Sequence, residues 1–219
     1  MKNIAIIAGG NSSEYEVSMK SGKNIYDEVD ETRYNKYLVV LKERDWHVEI
    51  GEEKFPVDKN DFSFTRNGEK ILFDFAYITI HGVPGENGLL QGYLDMMGVP
   101  YGCCNVLASA LTFDKHTCNT YLKSYGVNVA DSVMLIRGMA YDVNEIINEV
   151  GLPCFVKPNA EGSSFGVTKV KEAAQLEDAL KKAFALCREV LIETFIDGTE
   201  LTCGAVKAGD MDITMPIAE

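Results

Sequence analysis

A lysine at the end of an apolar run is followed by a short loop of glycines and serines in residues 154–166, CFVKPNAEGSSFG. The two glycines allow backbone conformations that other residues avoid, and Ser163 and Ser164 add hydroxyl donors. Such a loop can direct several N–H groups at one anion, and Lys157 supplies a compact positive charge beside it. The pattern predicts a phosphate-binding loop for a nucleotide. An ordinary turn beside a surface lysine fits this stretch, taken alone, equally well.

The order of residues in this loop distinguishes it from a Walker A loop, because the lysine precedes the glycines and no Gly-Lys-Ser/Thr follows. The loop resembles the nucleotide-binding hairpin of ATP-grasp enzymes, in particular the D-alanine–D-alanine ligase family, with its Lys-Pro and Glu-Gly-Ser-Ser-x-Gly pattern. Further stretches resemble that family's motifs in the same order, namely residues 9–18 (GGNSSEYEVS), 81–88 (HGVPGENG), 114–115 (DK) and 192–200 (IETFIDGTE).

The first of these stretches contains a carboxylate at the start of a predicted helix. Ser13 and Glu16 have the spacing of a capping box, which places the helix start near Glu14. A carboxylate there is favoured by the helix dipole even without any chemistry. The resemblance implies more: Glu14 faces the first amino-acid substrate and orients its ammonium group, and His81 and Glu86 lie beside the same pocket. A structural role is the alternative for the histidine.

Lysine at a helix start is a second sign of an anion site. Asp114 is a predicted N-cap, and Lys115 after it opposes the helix dipole, a small penalty that a bound anion would offset. The resemblance implies that Lys115, Lys157, Ser163 and Ser164 bind the nucleotide phosphates. It also implies that Ser163 holds a lid over the site through a hydroxyl directed towards Glu14. A surface position is the alternative for Lys115.

Residues 192–200 contain groups suited to a nucleoside. Adenine requires apolar walls, backbone partners and an acceptor for its amino group, and Glu193 with the backbone of Phe195 and Ile196 meets those requirements. Ribose hydroxyls require a carboxylate, which Glu200 supplies. The pattern is a recurrent ATP-grasp feature, although an edge hairpin with two solvated acids fits the composition equally well.

Strands and helices alternate along the chain, which predicts an α/β fold. Apolar runs indicate strands at residues 4–8, 37–41, 46–50 and 75–80, whereas residues 51–70 read as an irregular polar surface segment. The resemblance implies an ATP-grasp architecture: a parallel-sheet, Rossmann-like N-terminal domain at residues 1–104, an α+β nucleotide-clasping domain at 105–195 and the start of a third domain at 196–219. A Rossmann dinucleotide enzyme is disfavoured because residues 9–14 lack Gly-x-Gly-x-x-Gly.

The charge balance is acidic, with 21 Lys and Arg against 33 Asp and Glu, for a net charge of −12. Non-specific nucleic-acid binding requires the opposite sign, so nucleic acid is not an expected partner. No apolar run approaches the roughly 18 residues that span a bilayer, and the N-terminus reads as a strand, so no membrane partner and a cytoplasmic location are predicted.

The resemblance implies an enzyme that joins two D-alanines for peptidoglycan synthesis, using ATP with Mg²⁺ or Mn²⁺, through an acylphosphate intermediate. It also implies a homodimer. In the family the metal-binding carboxylates and a mobile loop follow later than residue 219, so most of the third domain is expected to be missing and no metal ligand is named. Two alternatives remain: another ATP-grasp ligase, such as one joining D-alanine to D-lactate, and a nucleotide-binding module without chemistry.

Overall fold

The computed structural model describes residues 1–162 and 165–219, which form an α/β structure with three separate sheets. The predicted fold class is therefore confirmed. The strands are β1 (Lys2–Gly9), β2 (Tyr34–Lys42), β3 (Asp45–Ile50), β4 (Glu53–Asp58), β5 (Ser63–Arg66), β6 (Glu69–Leu72), β7 (Phe75–Ile78), β8 (Ser132–Ile136), β9 (Cys154–Pro158), β10 (Thr168–Val170), β11 (Glu189–Thr194), β12 (Thr202–Ala208) and β13 (Met211–Ala218). The helices are α1 (Tyr15–Glu28), α2 (Leu89–Met97), α3 (Val106–Phe113), α4 (Lys115–Ser124), α5 (Val143–Val150) and α6 (Leu176–Leu186).

The first sheet has the strand order β6-β5-β4-β3-β2-β1-β7. Its centre is parallel, because β1 pairs with both β2 and β7 in that sense, and its outer strands pair antiparallel. Residues 5–8 of β1 are fully buried, as expected for a strand covered on both faces. The sheet is thus mixed, and the prediction of a parallel sheet holds only for its centre.

The prediction for residues 51–70 is wrong, because this segment forms β4, β5 and the first half of β6. Phe62 and Phe64 lie in the core with 0% and 1% of their surface exposed. The β5–β6 turn is made by Asn67 and Gly68, with φ of +52° and +81°. Asn-Gly is a common two-residue hairpin turn, since both positions favour positive φ. The sequence analysis did not recognise this hairpin turn, because the strands beside it are short and the segment contains many charged residues.

The turn between β1 and α1 brings two of the predicted motifs together. A Cβ atom on Gly9, whose φ is +96°, would lie 2.3 Å from the Leu41 carbonyl oxygen, so glycine is required there. The Ser12 hydroxyl donates to the His81 carbonyl oxygen at 2.7 Å and accepts from the Glu14 amide at 3.2 Å. The predicted capping box is wrong, because Glu14 is the N-cap of α1 and its side chain makes no capping hydrogen bond.

The second sheet is antiparallel with the order β10-β9-β11-β8. Helices α5 and α6 contribute Ile146, Val150, Leu176 and Leu180 to its hydrophobic core. As the sequence predicts, Asp114 caps α4, its side chain accepting from the Thr117 amide at 2.8 Å. This sheet positions Lys157, and the N-terminus of α4 positions Lys115.

Strands β12 and β13 form a hairpin that pairs with no other strand within the described residues. All of its residues are exposed, including apolar ones such as Met215 and Ile217. None of the helices in the described ranges is both long and apolar enough to cross a membrane. The domain boundaries predicted at residues 104 and 195 stay predictions.

Candidate functional site

Lys115 and Lys157 line one cavity of about 390 Å³, together with Glu161, Gly162 and Glu200. Lys157 lies in β9, just before the loop, and Lys115 is the first residue of α4. Two elements from different parts of the chain therefore direct ammonium groups to one opening. In a protein with a net charge of −12, this local concentration of positive charge is a suitable site for a polyanion.

The Lys115 ammonium group is held by the loop itself. It donates to the Glu161 carbonyl oxygen at 2.6 Å and lies 3.3 Å from the Asn159 carbonyl oxygen. Burial lowers the pKa of Lys115, and the nearby charge of Lys157 lowers it further. Both effects disfavour the charged form, so a bound anion would stabilise this ammonium group more than one in open solvent.

Lys157 forms an ion pair with Glu193 on the neighbouring strand β11. The pair is largely buried, with 23% of the lysine side chain and 9% of the glutamate side chain exposed. Asn119 Nδ2 donates to the other Glu193 carboxylate oxygen at 2.9 Å. Both Glu193 oxygens thus have protein partners in this conformation, and the predicted contact with adenine would require the carboxylate to turn.

The other residues predicted to contact the nucleoside do not all line the cavity that contains the lysines. Glu200 lines the cavity that contains both lysines. The Phe195 ring packs against Phe155 with 5.9 Å between ring centroids, and Lys169 Nζ lies 3.4 Å from the Phe195 ring centroid. The Phe195 amide donates to the Pro153 carbonyl oxygen at 3.3 Å, and Ile196 is 68% exposed. The proposed adenine contacts stay predictions.

His81 and Glu86 line a neighbouring cavity of about 350 Å³. A Glu86 carboxylate oxygen accepts from the Gly82 amide at 2.7 Å, which fixes the loop after residue 80. Glu86 also lines a smaller cavity of about 240 Å³ with Lys115, Glu161 and Gly162. The residues predicted for the amino acid therefore lie next to those predicted for the phosphates.

Glu14 meets the phosphate loop directly. A Cβ atom built on Gly162 would lie 2.6 Å from Glu14 Oε2, so the carboxylate rests against this part of the loop. Ser163 and Ser164, predicted for phosphate binding and for the link to Glu14, lie outside the described residues. Their roles stay predictions. The described geometry brings Glu14, Glu86 and Lys115 to one region.

Gly162→Ala is expected to raise the KM for the predicted first substrate, D-alanine, about tenfold, equivalent to roughly 1.4 kcal/mol, because the new methyl group displaces the Glu14 carboxylate. Stability should change little, since the displaced atom is the end of a flexible side chain. Steady-state kinetics and thermal unfolding measure the two effects. Gly92→Ala is the control, because its Cβ would meet only Val106 at 3.8 Å. An unchanged KM would contradict the placement of Glu14 at this substrate.

Two asparagines that the sequence analysis missed belong to this site. Asn119 holds Glu193, 74 positions along the chain, and Asn159 contacts the start of α4, more than 40 positions away. No local pattern marks such distant partners. The only available signal was the position of Asn159 two residues after Lys157.

Residues 1–162 and 165–219 contain no preformed set of ligands for a divalent cation. No group of three or more His, Cys, Asp or Glu side chains there is arranged to hold a metal ion. The two lysines, by contrast, suit a phosphate-bearing ligand without any metal. The described donors therefore fit a phosphate-bearing ligand and include no ligand set for Mg²⁺.

A mixed sheet, a separate antiparallel sheet, and two lysines and a glycine of the loop at one cavity are the arrangement expected of an ATP-grasp protein. Residues 3–104 match the family model described as D-ala D-ala ligase N-terminus, and residues 121–218 match D-ala D-ala ligase C-terminus. The chain belongs to the D-alanine–D-alanine ligase family, whose members are ATP-dependent ligases.

Individual relatives agree with this assignment. The chain is 54% identical to the D-alanine–D-alanine ligase of Phocaeicola vulgatus over 100% of its own length and 68% of that protein. It superimposes on D-alanyl-alanine synthetase A of Vibrio cholerae with a TM-score of 0.88 at 26% identity, covering 99% of this chain and 66% of that one. For the Bacillus anthracis D-alanine–D-alanine ligase complexed with ATP, the TM-score is 0.77 at 29% identity, with the same coverage of 99% and 66%. The chain thus spans about two thirds of the length of these relatives.

Proposed function

We propose that this chain binds ATP and D-alanine in a D-alanine–D-alanine ligase, which makes D-alanyl-D-alanine for peptidoglycan. The observation that carries the proposal is the meeting of Lys115 and Lys157 at one cavity, with Glu14 against the loop between them. A phosphate site and a site for an amino acid would then be adjacent, as a transfer of phosphate to that amino acid requires.

The proposed reaction has two steps. An oxygen of the first D-alanine carboxylate attacks the γ-phosphorus of ATP, giving an acylphosphate and ADP. The amine of the second D-alanine then attacks the acyl carbon, and the amide forms as phosphate leaves and the amine loses a proton. Phosphoryl transfer depends mainly on positioning and charge stabilisation, which is the role of Lys115 and Lys157.

The carboxylate of Glu14 is proposed to pair with the ammonium group of the first D-alanine. His81 and Glu86, which line one cavity, are proposed to lie beside that substrate. Ser163 is proposed to link the loop to Glu14, closing the site against water that would hydrolyse the acylphosphate. Ser164 would add a further donor to the phosphates.

The nucleoside is proposed to lie towards β11. Glu193 would accept from the adenine amino group after turning from Lys157, which a bound polyphosphate would then engage. The backbone of Phe195 and Ile196 would pair with the adenine edge, and Glu200 with the ribose hydroxyls. The dependence on Mg²⁺ or Mn²⁺, the homodimer and the cytoplasmic location remain expectations from the family resemblance.

The test is ADP release by the protein that carries this chain, supplied with ATP, Mg²⁺ and D-alanine. The proposal expects ADP, phosphate and D-alanyl-D-alanine in equal amounts, and little ADP without D-alanine. Adding D-lactate tests the second substrate: a mixed product formed in preference to dipeptide would favour the D-alanine–D-lactate alternative. Nucleotide binding without any D-alanine-dependent ADP would instead indicate a module without chemistry.

A further inference from the structure

Asn159 is a fully buried polar residue at the start of the phosphate loop, immediately after β9. Its Nδ2 donates to Asp114 Oδ2 at 2.7 Å and to Glu189 Oε2 at 3.1 Å. Its Oδ1 accepts from the His116 amide at 2.9 Å. The side chain thus uses both of its N–H donors and its oxygen.

The backbone of Asn159 contacts both the backbone and the side chain of Lys115. The Asn159 carbonyl oxygen accepts from the Lys115 amide at 3.2 Å and lies 3.3 Å from the Lys115 ammonium nitrogen. The Asn159 amide in turn donates to the Glu189 carbonyl oxygen at 3.0 Å, which anchors it to β11. Asn159 therefore connects the sheet, the loop and the first turn of α4.

Lys115 needs such support because its surroundings oppose its charge. It is at a helix N-terminus, where the dipole repels a cation, and both burial and the nearby charge of Lys157 lower its pKa. A lysine has a flexible four-carbon stem, so an unsupported ammonium group would turn to solvent. Without a bound anion, the contacts from the loop are what keep it at the cavity.

The identity of the side chain matters as well as its position. Asparagine supplies two donors to two carboxylates and one acceptor to an amide. Aspartate at this position would direct an oxygen at Asp114 and Glu189, and alanine would leave both carboxylates without this donor. Of the common side chains of this size, only asparagine satisfies all three partners.

We propose that Asn159 is a positioning residue for the nucleotide reaction, which acts by holding Lys115 at the phosphate site. This inference rests on the proposed function, since it assumes that Lys115 contacts the phosphates. It assigns Asn159 no contact with the nucleotide itself. Its effect on binding must therefore pass through Lys115, and that dependence can be measured.

A double-mutant cycle is the test, with ADP and Mg²⁺ titrated calorimetrically into the protein that carries this chain. Asn159→Ala is expected to weaken ADP binding about tenfold, and Lys115→Ala at least as much. The double variant should bind within about twofold of Lys115→Ala, because a positioning residue has no effect once its target is absent. Asn105→Ala is the control: it removes the side-chain cap of α3, whose oxygen accepts from the Ala108 amide, and should leave ADP binding unchanged.

Asp114→Asn is a second variant, in case Asn159→Ala does not fold. Aspartate has one oxygen for the Thr117 amide and one for Asn159, whereas asparagine has a single acceptor for both. A loss of about threefold in ADP affinity is expected, again absent in the Lys115→Ala background.

Three outcomes overturn the inference. ADP affinity unchanged in both Asn159→Ala and Asp114→Asn would do so, as would losses that add fully to that of Lys115→Ala, because purely structural damage is independent of the lysine. If Lys115→Ala itself binds ADP normally, the proposed phosphate site fails and the inference fails with it. Either of the first two outcomes, together with weakened ADP binding by Lys115→Ala, removes the inference and leaves the proposed phosphate site in place.

Discussion

Replacing Lys157 with methionine is expected to weaken ATP and ADP binding by about a hundredfold. A hydrogen bond to a charged group contributes about 1.5–3 kcal/mol, which corresponds to roughly tenfold to hundredfold in affinity. The upper end is expected here, because the protein has a net charge of −12 and Lys115 is the one other cation among the described residues that line the cavity. Methionine keeps the unbranched stem, so the change removes the ammonium group with little loss of packing.

Glu193 is the second reason for a large effect. In Lys157→Met its carboxylate, 9% exposed, loses its ion-pair partner and remains beside the phosphate site, where it would repel a polyanion. Stability should fall as well, because the buried carboxylate keeps only the hydrogen bond from Asn119 and loses its opposite charge. Glu193→Gln is the matched control, since it removes the same ion pair while keeping the lysine.

Calorimetric titration with a non-hydrolysable ATP analogue and urea unfolding separate the two contributions. Lys157→Met should lose both affinity and stability, and adding Glu193→Gln to it should restore part of the stability but not the affinity. Affinity equal to that of the unmodified protein in Lys157→Met would mean that this lysine only balances Glu193, and the phosphate site would have to be placed elsewhere.

Glu14→Gln is expected to reduce kcat/KM for D-alanine about a hundredfold while leaving the Kd for ADP unchanged. The substitution keeps the size of the side chain and removes the negative charge that would pair with the substrate ammonium, an interaction of about 1.5–3 kcal/mol. Glu14 rests against Gly162, and its predicted partner is the amino acid, so the nucleotide should bind as before.

The matched control is Glu16→Gln, which makes the same chemical change two residues further on. Glu16 is exposed in the first turn of α1, so it shares the helix-dipole contribution of an acidic residue without a place at the site. Steady-state kinetics with D-alanine varied, alongside calorimetry with ADP, gives both quantities. Equal and small effects of the two variants would mean that Glu14 is a helix-start carboxylate only.

The sequence alone was sufficient for features that depend on nearby residues. The apolar run of β1 and the cap at Asp114 were both predicted, because each depends on contacts within a few positions. The ligase resemblance likewise rests on short motifs, each readable locally. Residues 51–70 were the main local failure, since an Asn-Gly turn lay among charged residues that suggested a surface loop.

Only the tertiary structure decided which polar groups meet. Glu193 could be read as an acid near adenine, but its pairing with Lys157 and Asn119 depends on the register of β9 with β11 and on where α4 lies. The contact of Glu14 with the loop at Gly162 joins residues far apart in the chain. Asn159 looked like a loop residue, yet it joins α4 to the sheet. A hydrogen bond depends on the distance and angle between two groups in space. Packing of the core sets these quantities, so they cannot be read from the order of residue types along the chain.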